Sequence, residues 1–133
     1  MTRFLTTVFA VLFLALPLRA QEQDIQTVIG DQITAFGSDD FDTAFTFASP
    51  GIRQMFQTPE RFGEMVRNGY PMVHRPQAYV FEDLQQTGEG TFQYLLIEGP
   101  DGNYYRAEYD MIQTGDGWKI RGVRISRAEG VGA

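Results

Sequence analysis

Two side chains in this sequence have the chemistry of acid–base catalysis, namely His74 and Asp83. Histidine titrates near neutral pH and is a frequent proton-transfer group. For Asp83 the argument depends on strand register, because pairing Gln86 with Thr91 across the following turn places Asp83 on the inner face of the sheet. There it would lie opposite Tyr94, and a buried carboxyl group would have a raised pKa suited to a general base.

Each of these residues also has a simpler interpretation. His74 is the only histidine and lies where the predicted helices give way to strands. No serine–histidine–aspartate spacing accompanies it, which favours a surface or helix-capping role over catalysis. Asp83 lies near a strand end, where a solvated carboxylate is ordinary, so both catalytic assignments remain hypotheses.

Four tyrosines form a second candidate site, a pocket between the sheet and the helices. They are Tyr79, Tyr94, Tyr105 and Tyr109. Aromatic walls with a few hydroxyl groups are typical of small-molecule pockets. The same residues are equally suitable as core residues with a polar end.

No metal or cofactor site is predicted. The chain contains no cysteine, which excludes disulfides, thiolate ligands and a cysteine nucleophile. The acidic run Asp39-Asp40-x-Asp42 offers too few oxygen ligands for calcium. Acids at a helix N-terminus have a capping role in any case.

Size and charge restrict the class of protein further. The 133 residues carry a formal net charge of −6, which argues against binding nucleic acid or an anionic membrane surface by bulk charge.

Residues 1–20 have the layout of a secretory signal peptide, with Arg3, an apolar run and a small residue, Ala20, at the end. The sequence therefore predicts a bacterial periplasmic or secreted protein that begins at Gln21 and is not held in the membrane after cleavage.

One domain is predicted over residues 21–127, followed by a flexible tail over 128–133. Its first half is helical, with apolar residues at helical spacing over residues 25–36. Gly37 is expected to end that helix in a left-handed conformation, and Ser38 or Asp39 to cap the next one. Two later helices begin with a capping hydroxyl and a proline at the first helical position. These pairs are Ser49-Pro50 and Thr58-Pro59.

The second half predicts a four-stranded antiparallel meander over residues 77–86, 91–98, 103–114 and 117–126, with glycine-rich turns between the strands. Pairing Glu98 with Asn103 places Tyr94 on the inner face. Pairing Thr114 with Gly117 sets Met111 opposite Ile120, with a bulge near Gly122. The outer face is then charged, and the helices cover the inner one. Trp118 and Phe36 are expected to share this core.

Several short segments carry a family resemblance. They are Ala35-Phe36, Ala44-Phe45, Ala48-Ser49-Pro50, Phe62-Gly63-Glu64-Met65-Val66, Gly69-Tyr70-Pro71 and Asp116-Gly117-Trp118. They resemble a family of small exported bacterial proteins catalogued as a domain of unknown function. The order of elements is similar to the cystatin-like and nuclear-transport-factor-2-like superfold. This resemblance implies an α+β fold, with N-terminal helices on one face of a curved sheet, and transfers no catalytic residue.

Three functions follow as hypotheses. The first is an exported, non-catalytic domain that binds a small apolar ligand or a protein partner, with a homodimer through the outer sheet face as a related alternative. The second is a small acid–base enzyme of the isomerase, dehydratase or hydrolase type. The remote third is a protease inhibitor, since residues 26–30 match the Gln-x-Val-x-Gly motif of cystatins. That match falls within a helical pattern rather than on a hairpin loop, which argues against it.

Overall fold

The computed structural model of the protein describes residues 17–129. Within them, the helices are Pro17–Gly37 (α1), Phe41–Thr46 (α2), Pro50–Phe56 (α3), Pro59–Gly69 (α4) and Pro71–His74 (α5). The strands are Ala78–Thr87 (β1), Gly90–Glu98 (β2), Tyr104–Thr114 (β3) and Gly117–Arg127 (β4). Residues 1–16 of the predicted leader and 130–133 of the predicted tail lie outside the described residues. Among the described helices, none has the length and apolar character needed to cross a membrane.

The starts of α3 and α4 confirm the capping predictions. Ser49 accepts a hydrogen bond from the backbone of Ile52 at 3.3 Å, and Thr58 accepts one from Arg61 at 3.2 Å. The prediction for α2 was wrong, because Asp40 is its N-cap and accepts from the backbone N–H of Thr43. The preceding residue, Asp39, takes the left-handed conformation expected of Gly37, with φ of 55°.

The strands form one antiparallel sheet in the order β1-β2-β3-β4. Helices pack against one face of this open sheet, so the α+β prediction is confirmed. Phe36 of α1 and Trp118 of β4 belong to the same buried core, as expected.

The chain between α2 and α3 also covers part of the free edge of β4. There the N–H of Ile120 donates to Phe47 O, and its carbonyl accepts from the N–H of Ser49, both at 2.8 Å.

The register of the last hairpin confirms the prediction from its turn. Thr114 pairs with Gly117, and Met111 pairs with Ile120. The register shifts at the next position, so that Arg121 is the extra residue of a bulge just before Gly122. A bulge of this kind keeps the apolar residues of both halves of β4 on the inner face.

The register predicted between β2 and β3 was wrong by one residue. Glu98 pairs with Tyr104, because Asn103 belongs to the turn and donates from its backbone N–H to the side chain of Asp101 at 3.0 Å. A shift of one residue moves every side chain of a strand to the opposite face. Leu95 and Ile97 are therefore buried, and Tyr94 lies on the outer face of the sheet.

Candidate functional site

A cavity of about 420 Å³ lies between the helical layer and β4. Residues of α1, α3, α4, α5 and β4 line it, together with Ala48 from the segment that covers the β4 edge. The surface of its wall is predominantly apolar. It lies near the C-terminal end of α1, where the bulge in β4 places Gly122 and Val123 in the wall.

The helical side of the cavity is built around Phe62. Its ring lies 5.8 Å from that of Phe36, 5.4 Å from that of Phe45 and 5.7 Å from that of Phe56, measured between centroids. These tilted arrangements are favourable for aromatic pairs. The cluster therefore holds α1, α2, α3 and α4 together and presents aromatic surface to the cavity.

Two methionines complete the helical wall. Met55 of α3 is 70% exposed, and Met65 of α4 is half-buried. Methionine side chains are flexible and polarisable, and they adapt to differently shaped apolar partners. The sequence signal for this wall was the apolar stripe of Phe62, Met65 and Val66, which predicts a buried helix face but does not distinguish a filled core from a cavity.

The cavity wall contains few polar side chains. Gln32 of α1 is only 2% exposed, and Tyr70 lies at the start of α5. None of the described residues that line the cavity carries a charged side chain at neutral pH. The site can therefore accommodate apolar surface and a small number of hydrogen bonds, but it offers no counter-ion for a charged ligand.

The four tyrosines predicted to form the pocket do not line this cavity. Tyr79 and Tyr109 are on the inner face of the sheet. Tyr79 packs beside Gly30 of α1, where its hydroxyl oxygen would lie 3.4 Å from a Cβ atom added to the glycine. Burial is the main cause that raises the pKa of the Tyr109 hydroxyl, and the neighbouring Tyr79 raises this pKa further. These two residues belong to the packed core rather than to a binding site.

The other two tyrosines have partners elsewhere. The Tyr105 hydroxyl donates to Asp101 Oδ2 at 2.6 Å and ties β3 to the preceding turn. This bond, with those from Asn103, lowers the pKa of Asp101 to about 2. The Tyr94 hydroxyl donates to Glu108 Oε1 at 3.0 Å on the outer face, and this bond raises the pKa of Tyr94.

Asp83 is exposed in a bulge of β1, so its predicted position on the inner face was wrong. The register between β1 and β2 shifts between Phe81 and Leu84. Asp83 borders a shallow depression on the outer face that Tyr94 and Arg106 also line. Asp83 and Tyr94 therefore line the same exposed depression, and Asp83 also borders a second one beside Leu18 and Glu22 of α1.

The residue that organises this bulge is Gln93, which the predicted register had placed on the outer face. It is fully buried, and its Nε2 lies 3.0 Å from the carbonyl oxygen of Glu82 and 3.3 Å from that of Asp83. Because a bulge interrupts the regular ladder of hydrogen bonds between strands, the carbonyl groups within it need other donors. The side-chain amide of Gln93 donates to them from within the core.

The sequence favoured a surface or helix-capping role for His74, but this residue is buried in the last turn of α5, whose C-cap is Arg75. The Nε2 of His74 lies 2.7 Å from Oδ1 of Asp39, and its ring stacks on that of Phe41 at 6.2 Å. Arg75 donates to the other carboxylate oxygen of Asp39 at 3.0 Å. The hydrogen bond from His74 is the main cause that lowers the pKa of Asp39, and the positive charge of Arg75 lowers this pKa further. Neither His74 nor Asp83 lines the cavity.

The outer face is charged, as the sequence predicted, and it carries cross-strand ion pairs. Arg121 binds Asp110 through two hydrogen bonds of 3.0 Å, and Arg106 donates to Glu82 at 3.2 Å. Arg124 lies 3.7 Å from Glu108. Exposed pairs of this kind contribute little to stability, and they form a solvated surface.

The architecture defines the class of this protein as an α+β domain in which helices and an open antiparallel sheet border an apolar cavity that opens to solvent. The chain matches the family described as a domain of unknown function (DUF4864) over residues 18–133, and it belongs to that family. Comparison with curated proteins gives no significant match.

Proposed function

We propose that the protein is an exported domain that binds a small apolar ligand in the cavity between the helices and β4. The observation that carries this proposal is the cavity itself, whose volume of about 420 Å³ falls within the range of about 300–1,000 Å³ usual for small-molecule sites. The cavity opens to solvent beside Met55, which is 70% exposed. A concave apolar site that solvent can reach is typical of small-molecule binding sites.

The composition of the wall favours binding over catalysis. Acid–base chemistry needs a titratable group within hydrogen-bond reach of the reacting atom. Neither of the two candidate groups, His74 and Asp83, lines the cavity. Export to the periplasm or beyond remains part of the proposal and rests on the predicted leader in residues 1–20.

The proposal is tested by filling the cavity. The mature protein is titrated with N-phenyl-1-naphthylamine, a neutral dye that fluoresces in apolar surroundings. Val123→Trp, on the β4 wall, is expected to abolish the fluorescence gain. The matched control is Val80→Trp, because Val80 is 57% exposed on the edge strand β1 and does not line the cavity.

Circular dichroism of both variants verifies that they fold. Dye binding by the wild type and by Val80→Trp, with loss in Val123→Trp, supports the proposal. A folded Val123→Trp protein that binds the dye as well as the wild type would overturn it.

A further inference from the structure

We infer that the ligand is an uncharged molecule that carries one hydrogen-bond donor, such as a hydroxyl group, and that Gln32 Oε1 accepts this hydrogen bond. The inference rests on the proposed function, since it names the class of ligand for the same cavity. It is carried by the position and hydrogen bonding of Gln32, the most deeply buried polar side chain in the cavity wall.

The side-chain amide of Gln32 is held by one bond. Its Nε2 donates to the carbonyl oxygen of Ala44 at 3.2 Å. Among the described residues, none donates a hydrogen bond to its Oε1. Since Nε2 is engaged and Gln32 lines the cavity, Oε1 is the hydrogen-bond acceptor that this side chain has free for a ligand.

The bond to Ala44 fixes which end of the amide is available. An amide oxygen has two lone pairs and accepts hydrogen bonds but does not donate them. With the nitrogen engaged by Ala44, a ligand O–H or N–H is the complementary group. The hydroxyl of Tyr70 can donate as well as accept, so it does not by itself distinguish a ligand with a donor from one without.

The uncharged wall disfavours the commonest amphipathic ligands. A fatty acid anion or an amine cation whose head group lay beside the buried Gln32 would have no counter-charge, because no described lining residue is charged. Burial of an unpaired charge is far more costly than burial of a hydroxyl group. The preferred ligand is therefore neutral.

The volume limits the size of the ligand. About 420 Å³ provides room for roughly fourteen groups of the size of water, at about 30 Å³ each. A medium-length alkyl chain with a terminal hydroxyl matches this space. 1-Decanol is a suitable probe, with methyl nonyl ether as its isomer that accepts hydrogen bonds but cannot donate one.

The test compares 1-decanol, methyl nonyl ether and decanoate as competitors of the bound naphthylamine dye at neutral pH. The alcohol is expected to bind about threefold to tenfold more tightly than the ether, the range of a single neutral hydrogen bond. Decanoate is expected to bind more weakly than the alcohol. Equal binding of alcohol and ether, or tightest binding of decanoate, would overturn the inference while leaving the proposed apolar site intact.

Gln32→Met tests the assigned residue, because methionine has a similar length and no amide. The Ala44 carbonyl keeps a donor in this variant, since it also accepts from the N–H of Phe47 at 3.2 Å. The variant should still bind the ether but lose the preference for the alcohol. Gln26→Met, on the same helix and outside the cavity wall, should keep it.

A retained preference in folded Gln32→Met would overturn the assignment to Gln32. If the variant does not fold, the comparison of alcohol and ether on the wild type still decides whether a donor is preferred. Failure of the dye and all three compounds to bind the wild type would instead overturn the proposed function, and this inference with it.

Discussion

The imidazole Nε2 of His74 lies 2.7 Å from Oδ1 of Asp39 and joins α5 to the turn between α1 and α2. Arg75 and Arg67 approach the same carboxylate, at 3.0 and 3.8 Å. Tyr70 and Val73, on the chain just before His74, line the cavity. The pair therefore fixes a segment that forms part of the cavity wall.

Asp39→Asn is expected to lower the thermal stability of the protein at neutral pH. Asparagine tolerates the left-handed conformation of this position, so the change removes the charge and weakens the hydrogen bonds without straining the backbone. The melting temperature of Asp39→Asn is compared with that of Asp31→Asn, a change at an exposed position of α1.

The pH dependence of this difference follows from the lowered pKa of Asp39. The ionised carboxylate stabilises the fold above its ordinary pKa of 3.8, and this contribution disappears as the pH falls through the lower pKa of the folded state. The deficit of Asp39→Asn should therefore be present at neutral pH and shrink below about pH 4. A deficit that grows on acidification would contradict the assigned contact.

Gly63→Ala is expected to destabilise the protein by about 1–3 kcal/mol through overpacking. A Cβ on Gly63 would overlap the ring of Phe41, in which Cδ1 lies 2.5 Å from the Cβ position. Gly69→Ala is the control, because no heavy atom lies within 4 Å of its Cβ position. Urea denaturation measures both variants, and equal stabilities would show that α2 and α4 do not pack as described.

Much of the fold could be predicted because local signals in the sequence are strong. Proline after a capping hydroxyl marks the starts of α3 and α4, and the tight turn at Gly117, whose φ is 98°, fixes the last hairpin. The register of β2 could not be predicted, because the longer turn leaves open whether Asn103 belongs to the turn or to the strand. That single residue decides which face Tyr94 occupies.

The site was less predictable because it depends on contacts between residues far apart in the sequence. In the sequence, Gln32 is one polar position of an amphipathic helix. Only the packing of α1 against α2 brings its side chain to the carbonyl oxygen of Ala44. The pairing of His74 with Asp39 likewise joins α5 to a turn that lies several elements earlier in the chain. A buried glutamine or histidine is identified by its tertiary partners, which a pattern of residue types does not supply.

The predicted leader gives a direct expectation for the exported protein. Cleavage after Ala20 would leave Gln21 as the first residue, because a small residue ends the apolar run at that point. N-terminal sequencing of the protein recovered from outside the cytoplasm should begin at Gln21. An intact form that begins at Met1 and remains in the membrane fraction would refute the cleavage.

The cavity as a ligand site is tested most directly by the methyl resonances of its methionines. Met55 and Met65 line the cavity, whereas Met72 of α5 does not. Titration of methyl-labelled mature protein with 1-decanol should shift the signals of Met55 and Met65 in a saturable manner and leave that of Met72 nearly unchanged. Saturable shifts at Met72 alone, or no saturable shift at Met55 and Met65, would contradict the account.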